Sequence, residues 1–344
     1  MTAGGELTLS VVIPMYNEEA VLPLLVQRLR PVLDGLGAGY EVVAVDDGSA
    51  DDTAAILHLL RRTWPELRLV RLRRNSGHQA ALTAGLHRAR GAYVVSIDAD
   101  LQDPPEVIPQ MLELAQAGHL DIVYGVRGDR ESDTPFKRHT AGLYYKIMRS
   151  IVGKKMPDGA GDFRLLSRAM VEALRSLPEH TPVYRLLVPW LGFPSGEVSY
   201  VRERRAAGTT KYPLTKMIRL AADSVINFTA APLRAALWLG GIGVGLTVVL
   251  TGTTLASWAG GTVVPGWTSL FLAVLLFGAL QLICLGLLGE YVGRIFQSLQ
   301  ARPAYFISED SSEHRPPAQR SEPEHETDGG TPQGHAATAR LGRP

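Results

Sequence analysis

Two aspartates two positions apart, Asp98 and Asp100, close an apolar run from Tyr93 to Ile97, and Gln102 and Asp103 follow after Leu101. Carboxylates at that spacing can converge on one hard cation, with the Gln102 side chain offering a neutral oxygen beside them. Mg²⁺ or Mn²⁺ held by one or two carboxylates completes its shell with water and with the phosphates of a ligand. A plainer reading also exists, in which Asp98 and Asp100 end a strand and Asp103, ahead of Pro104 and Pro105, caps the next helix. The rest of the chain favours the first.

An unbroken apolar run without alternation reads as a strand buried on both faces of a parallel sheet. Further strands are expected at 7–14, 40–46, 67–72 and 121–124, with helices from Glu19 to about Leu36, from Asp52 to Thr63 and from Gln79 to Ala89. Strand and helix in alternation imply an α/β fold with a mainly parallel sheet and right-handed crossovers. The turns that follow the strands then share the carboxyl edge of the sheet, where open α/β folds bind ligands. Those turns hold Tyr16, Asn17 and Glu18, then Asp46 to Ser49, then Asn75 to His78. An aromatic ring can stack on a base, and a carboxylate can accept from a base or a ribose hydroxyl, so the set suits a nucleoside. Each turn taken alone is equally well ordinary loop chemistry. The sequence has no GxxxxGK[ST], and its only GxGxxG-like glycines lie in an apolar region near Gly241, which disfavours a P-loop or dinucleotide fold.

Five segments in this order, VVIPMYNEE at 11–19, VDDGSADDT at 45–53, RNSGHQAALTAGL at 74–86, DADLQDPPE at 98–106 and GDFRLLSR at 161–168, resemble glycosyltransferase family 2. Within it they look like the small membrane enzymes that move one sugar onto a polyprenyl or dolichyl phosphate, and the resemblance runs from residue 9 to about 300. It implies a GT-A fold and an inverting transfer from a nucleotide-sugar. By the same resemblance Pro14, Tyr16, Glu18 and Asp46 line the nucleoside site, and Asp98, Asp100 and Gln102 hold the metal on the diphosphate. Asp162 matches a family position often proposed as the base; it also reads as a strand or helix terminator. Residues 198–212, with Arg202, Arg204, Arg205 and Lys211, resemble the segment that clasps the acceptor phosphate, and a basic loop drawn to anionic lipid is compatible with the same letters.

Lys plus Arg number 35 against 34 Asp plus Glu in 344 residues, so no overall field argues for nucleic acid. The charge is unevenly placed. From Ala235 to Gly289 there is no charged residue, and the lone cysteine, Cys284, falls inside that stretch, which rules out an internal disulfide. Two spans, about 235–257 and 267–289, are each long enough for a bilayer core, and Trp258 and Trp267 bracket the short loop between them. Arg234 before the first span and Arg294 and Arg302 after the second place both outer ends in the cytoplasm by the positive-inside rule. The opening residues lack a basic segment followed by an apolar one, so the expectation is a cytoplasmic catalytic part at the plasma membrane. Gly241 and Gly245 suit close helix packing in a homo-oligomer. Two amphipathic stretches lie nearer the sheet. One, from Arg127 to Ile151, mixes Arg138 and other basic residues with apolar ones; the other carries a stripe from Leu214 to Phe228 and would lie on a bilayer or pack on a neighbouring helix.

The expected organisation is a GT-A catalytic domain at 1–212, a juxtamembrane segment at 213–232, a two-helix transmembrane hairpin at 233–290 and a cytoplasmic tail at 291–344, disordered after about 307. The expected reaction moves a single hexose, glucose or mannose, from UDP-glucose or GDP-mannose to polyprenyl phosphate. Arg127, Arg138, Arg205 and Lys211 draw that phosphate from the bilayer. With a second pKa near about 6, the phosphate is already ionised at neutral pH, so Asp162 is expected to position rather than to accept a proton. A processive polysaccharide synthase is the nearest alternative, but its QxxRW segment and additional spans are missing here. A noncatalytic nucleotide-sugar-binding anchor is the other.

Overall fold

The computed structural model describes residues 7–128, 160–179, 182–203, 231–261, 266–300 and 302–312. Its centre is an eight-stranded sheet. In chain order the described elements are β1 (Leu9–Met15), α1 (Leu22–Asp34), β2 (Tyr40–Asp46), α2 (Thr53–Leu60), β3 (Leu67–Leu72), α3 (His78–Arg88), β4 (Tyr93–Ser96) and α4 (Ile108–Ala117). There follow β5 (Ile122–Arg127), β6 (Ala160–Ser167), α5 (Arg168–Arg175), α6 (Tyr184–Trp190), β7 (Ser195–Tyr200), α7 (Ala231–Ala259), α8 (Trp267–Leu299) and β8 (Ile307–Asp310). The strands lie in the order β7-β5-β6-β4-β1-β2-β3-β8. β1 pairs in parallel with β2 and β4, β2 with β3, and β5 with β7, while β6 and β8 run antiparallel to their neighbours.

All seven residues of β1 are buried, as an unbroken apolar strand covered on both faces requires. Its alternate residues enter different cores. Val11, Ile13 and Met15 meet α1 and α4 through Leu25, Leu29 and Met111, whereas Val12 meets α3, α5 and α6 through Ala81, Met170 and Leu187. The buried Leu22, Leu25, Leu29 and Leu33 of α1 recur at helical spacing, and Gly35 follows as its cap. α3 lies hard against the sheet at Gly85, where an added Cβ would come within 2.2 Å of Val12 and 3.0 Å of Val45.

Three expectations change. The segment expected to be disordered begins instead with β8, a strand antiparallel to β3, because Asp310 finds buried ion-pair partners there. β6 and β7 bring two further strands that the apolar pattern does not announce: β6 is interrupted by Asp162 and Arg164, and β7 is SGEVSY. Residues 198–200, expected in a basic loop, are therefore strand. The second apolar helix runs on to Leu299, carrying Glu290 and Arg294 as an i,i+4 pair at 2.8 Å. Residues 213–230 and the greater part of the stretch from Arg127 to Ile151 lie outside the described residues, as do 313–344.

α7 and α8 are long and apolar enough to cross a membrane, and none of the spans Pro232–Ser257 and Leu276–Leu299 is buried within the chain. They touch each other near Gly243, whose added Cβ would come within 3.3 Å of Phe277.

Candidate active site

The ends of β1, β2 and β4 open onto a cleft of about 480 Å³. Pro14, Tyr16 and Glu18 line it from the first turn, Asp47 from the second, Gly77 and His78 from the start of α3, and Asp98 and Asp100 from beyond β4. The expectation that these turns share one edge thus brings them to one crevice.

The first two turns are sewn together by their polar side chains. The Asn17 N–H donates to Ser49 Oγ at 2.9 Å, Ala50 N–H to Asn17 Oδ1 at 3.0 Å, and Glu18 N–H to Thr53 Oγ1 at 2.9 Å. Asn17 takes a φ of 55°, a left-handed conformation that asparagine tolerates better than other side chains. Of the four residues assigned to the nucleoside by resemblance, Pro14, Tyr16 and Glu18 face the cleft. Asp46 is wholly buried behind the wall, where Oδ1 accepts the Ser49 N–H at 2.9 Å and Arg71 Nε lies 3.0 Å from Oδ2. Its neighbour Asp47 is the one at the surface of the cleft, and it accepts the N–H groups of Ser76 at 2.7 Å and Gly77 at 2.8 Å. Burial raises the Asp47 carboxyl above its ordinary value despite those two donors.

At the other wall three ionisable groups meet. His78 Nε2 is 3.7 Å from both Asp98 Oδ1 and Asp162 Oδ2. Asp162 in turn accepts from Arg164 at 2.5 Å and from Arg185 at 3.5 Å. Arg164 is 98% withdrawn from solvent, with 2% of its side chain exposed, and donates also to the Tyr184 carbonyl at 2.9 Å. Burial by itself would raise Asp162, but His78, Arg164 and Arg185 outweigh it and hold this carboxyl well below the usual range. Asp98 moves the other way. Burial first, and then the neighbouring carboxylates Asp162, Asp103 and Asp100, push it up to about 6 against the opposing effect of His78. Burial would lower His78, yet Asp162 and Asp98 raise it overall.

This gathering of negative charge fits a divalent cation. Asp98 and Asp100 line the same cleft, and a cation between them would relieve the repulsion that lifts Asp98. Among the described residues no group of three or more His, Cys, Asp or Glu is arranged to hold a metal. Between Asp100 and Gln102, the buried Leu101 takes a φ of 57°, a strained conformation of the kind that clusters at functional loops. The Gln102 N–H donates to Asp100 Oδ1 at 3.1 Å, and the Gln102 side-chain oxygen accepts from Arg202. Asp103 is buried and accepts from the Tyr200 hydroxyl, with Arg127 Nη2 3.8 Å away. Arg127 therefore stands beside Asp103; Arg138, Arg205 and Lys211 lie outside the described residues.

His78 and Asp47 stood in the turns expected at the cleft without an individual role, and Arg164 and Arg185 had none. The turn from Asn75 to His78 signalled the first by its place on the carboxyl edge. Arg164 has its partner Asp162 two positions away in the same strand, and only the fold shows that the pair is buried.

The family model described as Glycosyl transferase family 2 matches residues 10–175. The uncharacterized glycosyltransferase YkcC of Bacillus subtilis is 40% identical over 300 residues, covering 87% of this chain and 92% of that protein. The bactoprenol glucosyl transferase of Shigella phage SfII is 37% identical over 305 residues, covering 87% and 97%. Glucosyl-3-phosphoglycerate synthase from Mycobacterium tuberculosis, solved with Mn²⁺, UDP-glucose and phosphoglyceric acid, is 21% identical with a TM-score of 0.45, over 65% of this chain and 79% of that one, a distance at which shared ligands do not follow.

Proposed function

This chain belongs to glycosyltransferase family 2, and from that premise we propose that it moves one glucose from UDP-glucose to a polyprenyl phosphate at the cytoplasmic face of the plasma membrane. The carrying observation is that Asp98 and Asp100 meet Tyr16 and Glu18 in a single cleft of about 480 Å³, in a chain whose α7 and α8 are apolar and exposed. A volume of that order suits a nucleotide-sugar. Glucose is favoured over mannose by the bactoprenol glucosyl transferase that shares 37% identity over 305 residues.

In this reading Tyr16 stacks on the base, and Glu18 with the Asp46–Asp47 turn accepts from base and ribose. Mg²⁺ or Mn²⁺ held by Asp98 and Asp100, with Gln102 beside them, would neutralise charge on the leaving diphosphate. The acceptor phosphate, with a second pKa near about 6, arrives ionised and needs no base. Asp162 suits that assignment, because His78, Arg164 and Arg185 hold its carboxyl below the usual range, too weak a base for a useful proton acceptor. Its part is to hold Arg164, Arg185 and His78 in place. Arg127, Arg138, Arg205 and Lys211 bind the acceptor phosphate.

α7 and α8 form the membrane hairpin. Leu237 at 77% exposure and Leu282 at 69% would otherwise face water, a patch that soluble monomers do not tolerate. The arginines at and beyond the outer ends of the hairpin, Arg234, Arg294 and Arg302, support a cytoplasmic sheet and cytoplasmic termini. Gly241 and Gly245 have open space around them, which leaves room for a second copy of the hairpin.

Purified protein in vesicles with polyprenyl phosphate, Mg²⁺ or Mn²⁺ and a panel of radiolabelled nucleotide-sugars tests the proposal. UDP-glucose is expected to give a lipid-linked sugar. Transfer from GDP-mannose alone would overturn only the sugar, and no lipid product from any donor would overturn the reaction.

A further inference from the structure

The outermost strands of the sheet, β7 and β8, are the two that flank the apolar hairpin in the chain. The polypeptide thus leaves the sheet at one edge, passes through α7 and α8, and returns to the opposite edge. Seven residues, 300–306, separate the end of α8 at Leu299 from β8 at Ile307. Fully extended, the eight Cα–Cα steps from Leu299 to Ile307 reach roughly 26 Å at ~3.3 Å per step.

The return is held by a buried charge. The Asp310 side chain has no exposed area and lies 3.1 Å from both Arg68 Nη2 and Arg88 Nη1. Arg68 is itself 3.5 Å from Glu41, and the Ser312 N–H donates to Asp310 at 3.0 Å. The Leu69 N–H donates to Ser311 Oγ, and the Ser311 N–H to the Leu69 carbonyl, both at 2.9 Å. Sliding β8 by one residue would take this buried carboxylate away from both guanidinium groups, so its register is specified. The partner strand leads to the cleft. Opposite Glu309 on β3 stands Arg71, which lies 3.0 Å from Asp46 and donates to the Ser49 carbonyl at 3.3 Å, in the turn whose Ser49 hydroxyl receives the Asn17 N–H.

We propose that β8 is a strap that ties the outgoing end of the membrane hairpin to the far edge of the sheet and so sets the height and tilt of the donor cleft over the lipid. The inference rests on the reading that the acceptor is lipid-borne. A second attachment to the hairpin restricts the orientations open to the sheet and so raises the effective concentration of cleft and acceptor phosphate.

The test compares full-length wild type with Asp310→Ala on two acceptors: a long-chain polyprenyl phosphate in phosphatidylethanolamine and phosphatidylglycerol vesicles, and a short, water-soluble prenyl phosphate. Hydrogen exchange at Leu69 and Ser311 follows the strand. The expected result is faster exchange there, a loss of about tenfold or more in turnover on the long-chain acceptor, and a change of under about twofold on the soluble one. If Asp310→Ala does not fold, Arg88→Gln removes one of the two pairs and is expected to give the same split at smaller amplitude. Equal losses on both acceptors would reduce β8 to a cap on the sheet edge and overturn the strap. So would a released strand with undiminished vesicle turnover, or a strand that stays protected in both variants. Wild type inactive on both acceptors would overturn the lipid-acceptor reading itself.

Discussion

Replacing Asp162 by asparagine removes a charge while nearly keeping the shape of the side chain, and it separates two roles for this carboxylate. Arg164, with 2% of its side chain exposed, loses its 2.5 Å partner and keeps the Tyr184 carbonyl, so a guanidinium is left buried without a counter-charge. Breaking a buried pair in this way costs about 3 kcal/mol or more. For a chain of 344 residues, with an unfolding entropy of about 2.1 cal/mol/K per residue, that is a fall in Tm of about 4 °C, measurable by scanning fluorimetry in detergent. The kinetic signature is independent of that loss. If Asp162 only positions, Asp162→Asn lowers kcat without removing or moving any limb of the wild-type pH–rate profile, the acid limb near about 6 from the second ionisation of the acceptor phosphate included. A base would contribute some 10²–10⁴-fold and would leave its own limb, absent from the variant. Steady-state rates from pH 5 to 9 on both proteins decide it, with Mg²⁺ saturating throughout. A limb that disappears in Asp162→Asn, or a variant whose rate recovers at high pH, would refute the positioning role. The double variant Asp162→Asn with Arg164→Met is expected to regain part of the stability and none of the rate.

Gly48 has a φ of +67°, and an added Cβ would come within 2.6 Å of the Arg74 backbone, so Gly48→Ala combines a left-handed strain with overpacking. A loss of about 2–4 kcal/mol is expected, together with weaker UDP binding by calorimetry; unchanged affinity would detach this turn from the donor. Asp98→Ala is expected to abolish metal-dependent turnover and to weaken Mn²⁺ binding, followed by electron paramagnetic resonance, by at least about tenfold, and intact Mn²⁺ binding would move the metal elsewhere. Asp310 is held below its ordinary pKa, chiefly by Arg68 and Ser312 against the opposing effect of burial. A depressed carboxyl stabilises the fold above its unfolded pKa of about 3.9, and the benefit is lost as pH falls through the lower folded value. The Tm gap between wild type and Asp310→Asn should therefore be widest at neutral pH and shrink below about pH 4; a gap that stays constant on acidification contradicts it.

Where the local pattern speaks, it speaks clearly. LSVVIPM and YEVVAVD, both buried almost throughout, announce parallel strands, and the leucines of α1 announce a helix face. The loop carboxylates then had to fall on one edge, because every parallel strand ends on that side. β6 was not legible, since Asp162 and Arg164 break its apolar run and are satisfied only by each other and by residues from α3 and α6. Nor was the exchange of places in the Asp46–Asp47 pair, where two identical side chains point to opposite sides of the wall.

The order of amino acids by itself determined the strand–helix alternation, the cleft edge with Asp98, Asp100, Tyr16 and Glu18 on it, and two helices of membrane length. Those features follow from periodicity and from runs of uncharged residues, which act over a few neighbours. Only the tertiary structure decided that Ile307–Asp310 joins the sheet, that Asp162 is enclosed by His78, Arg164 and Arg185, and that His78 stands between Asp98 and Asp162. Arg68 and Asp310 are 242 residues apart, and their partnership depends on the free energy of burying both charges together, a quantity that no local stretch contains.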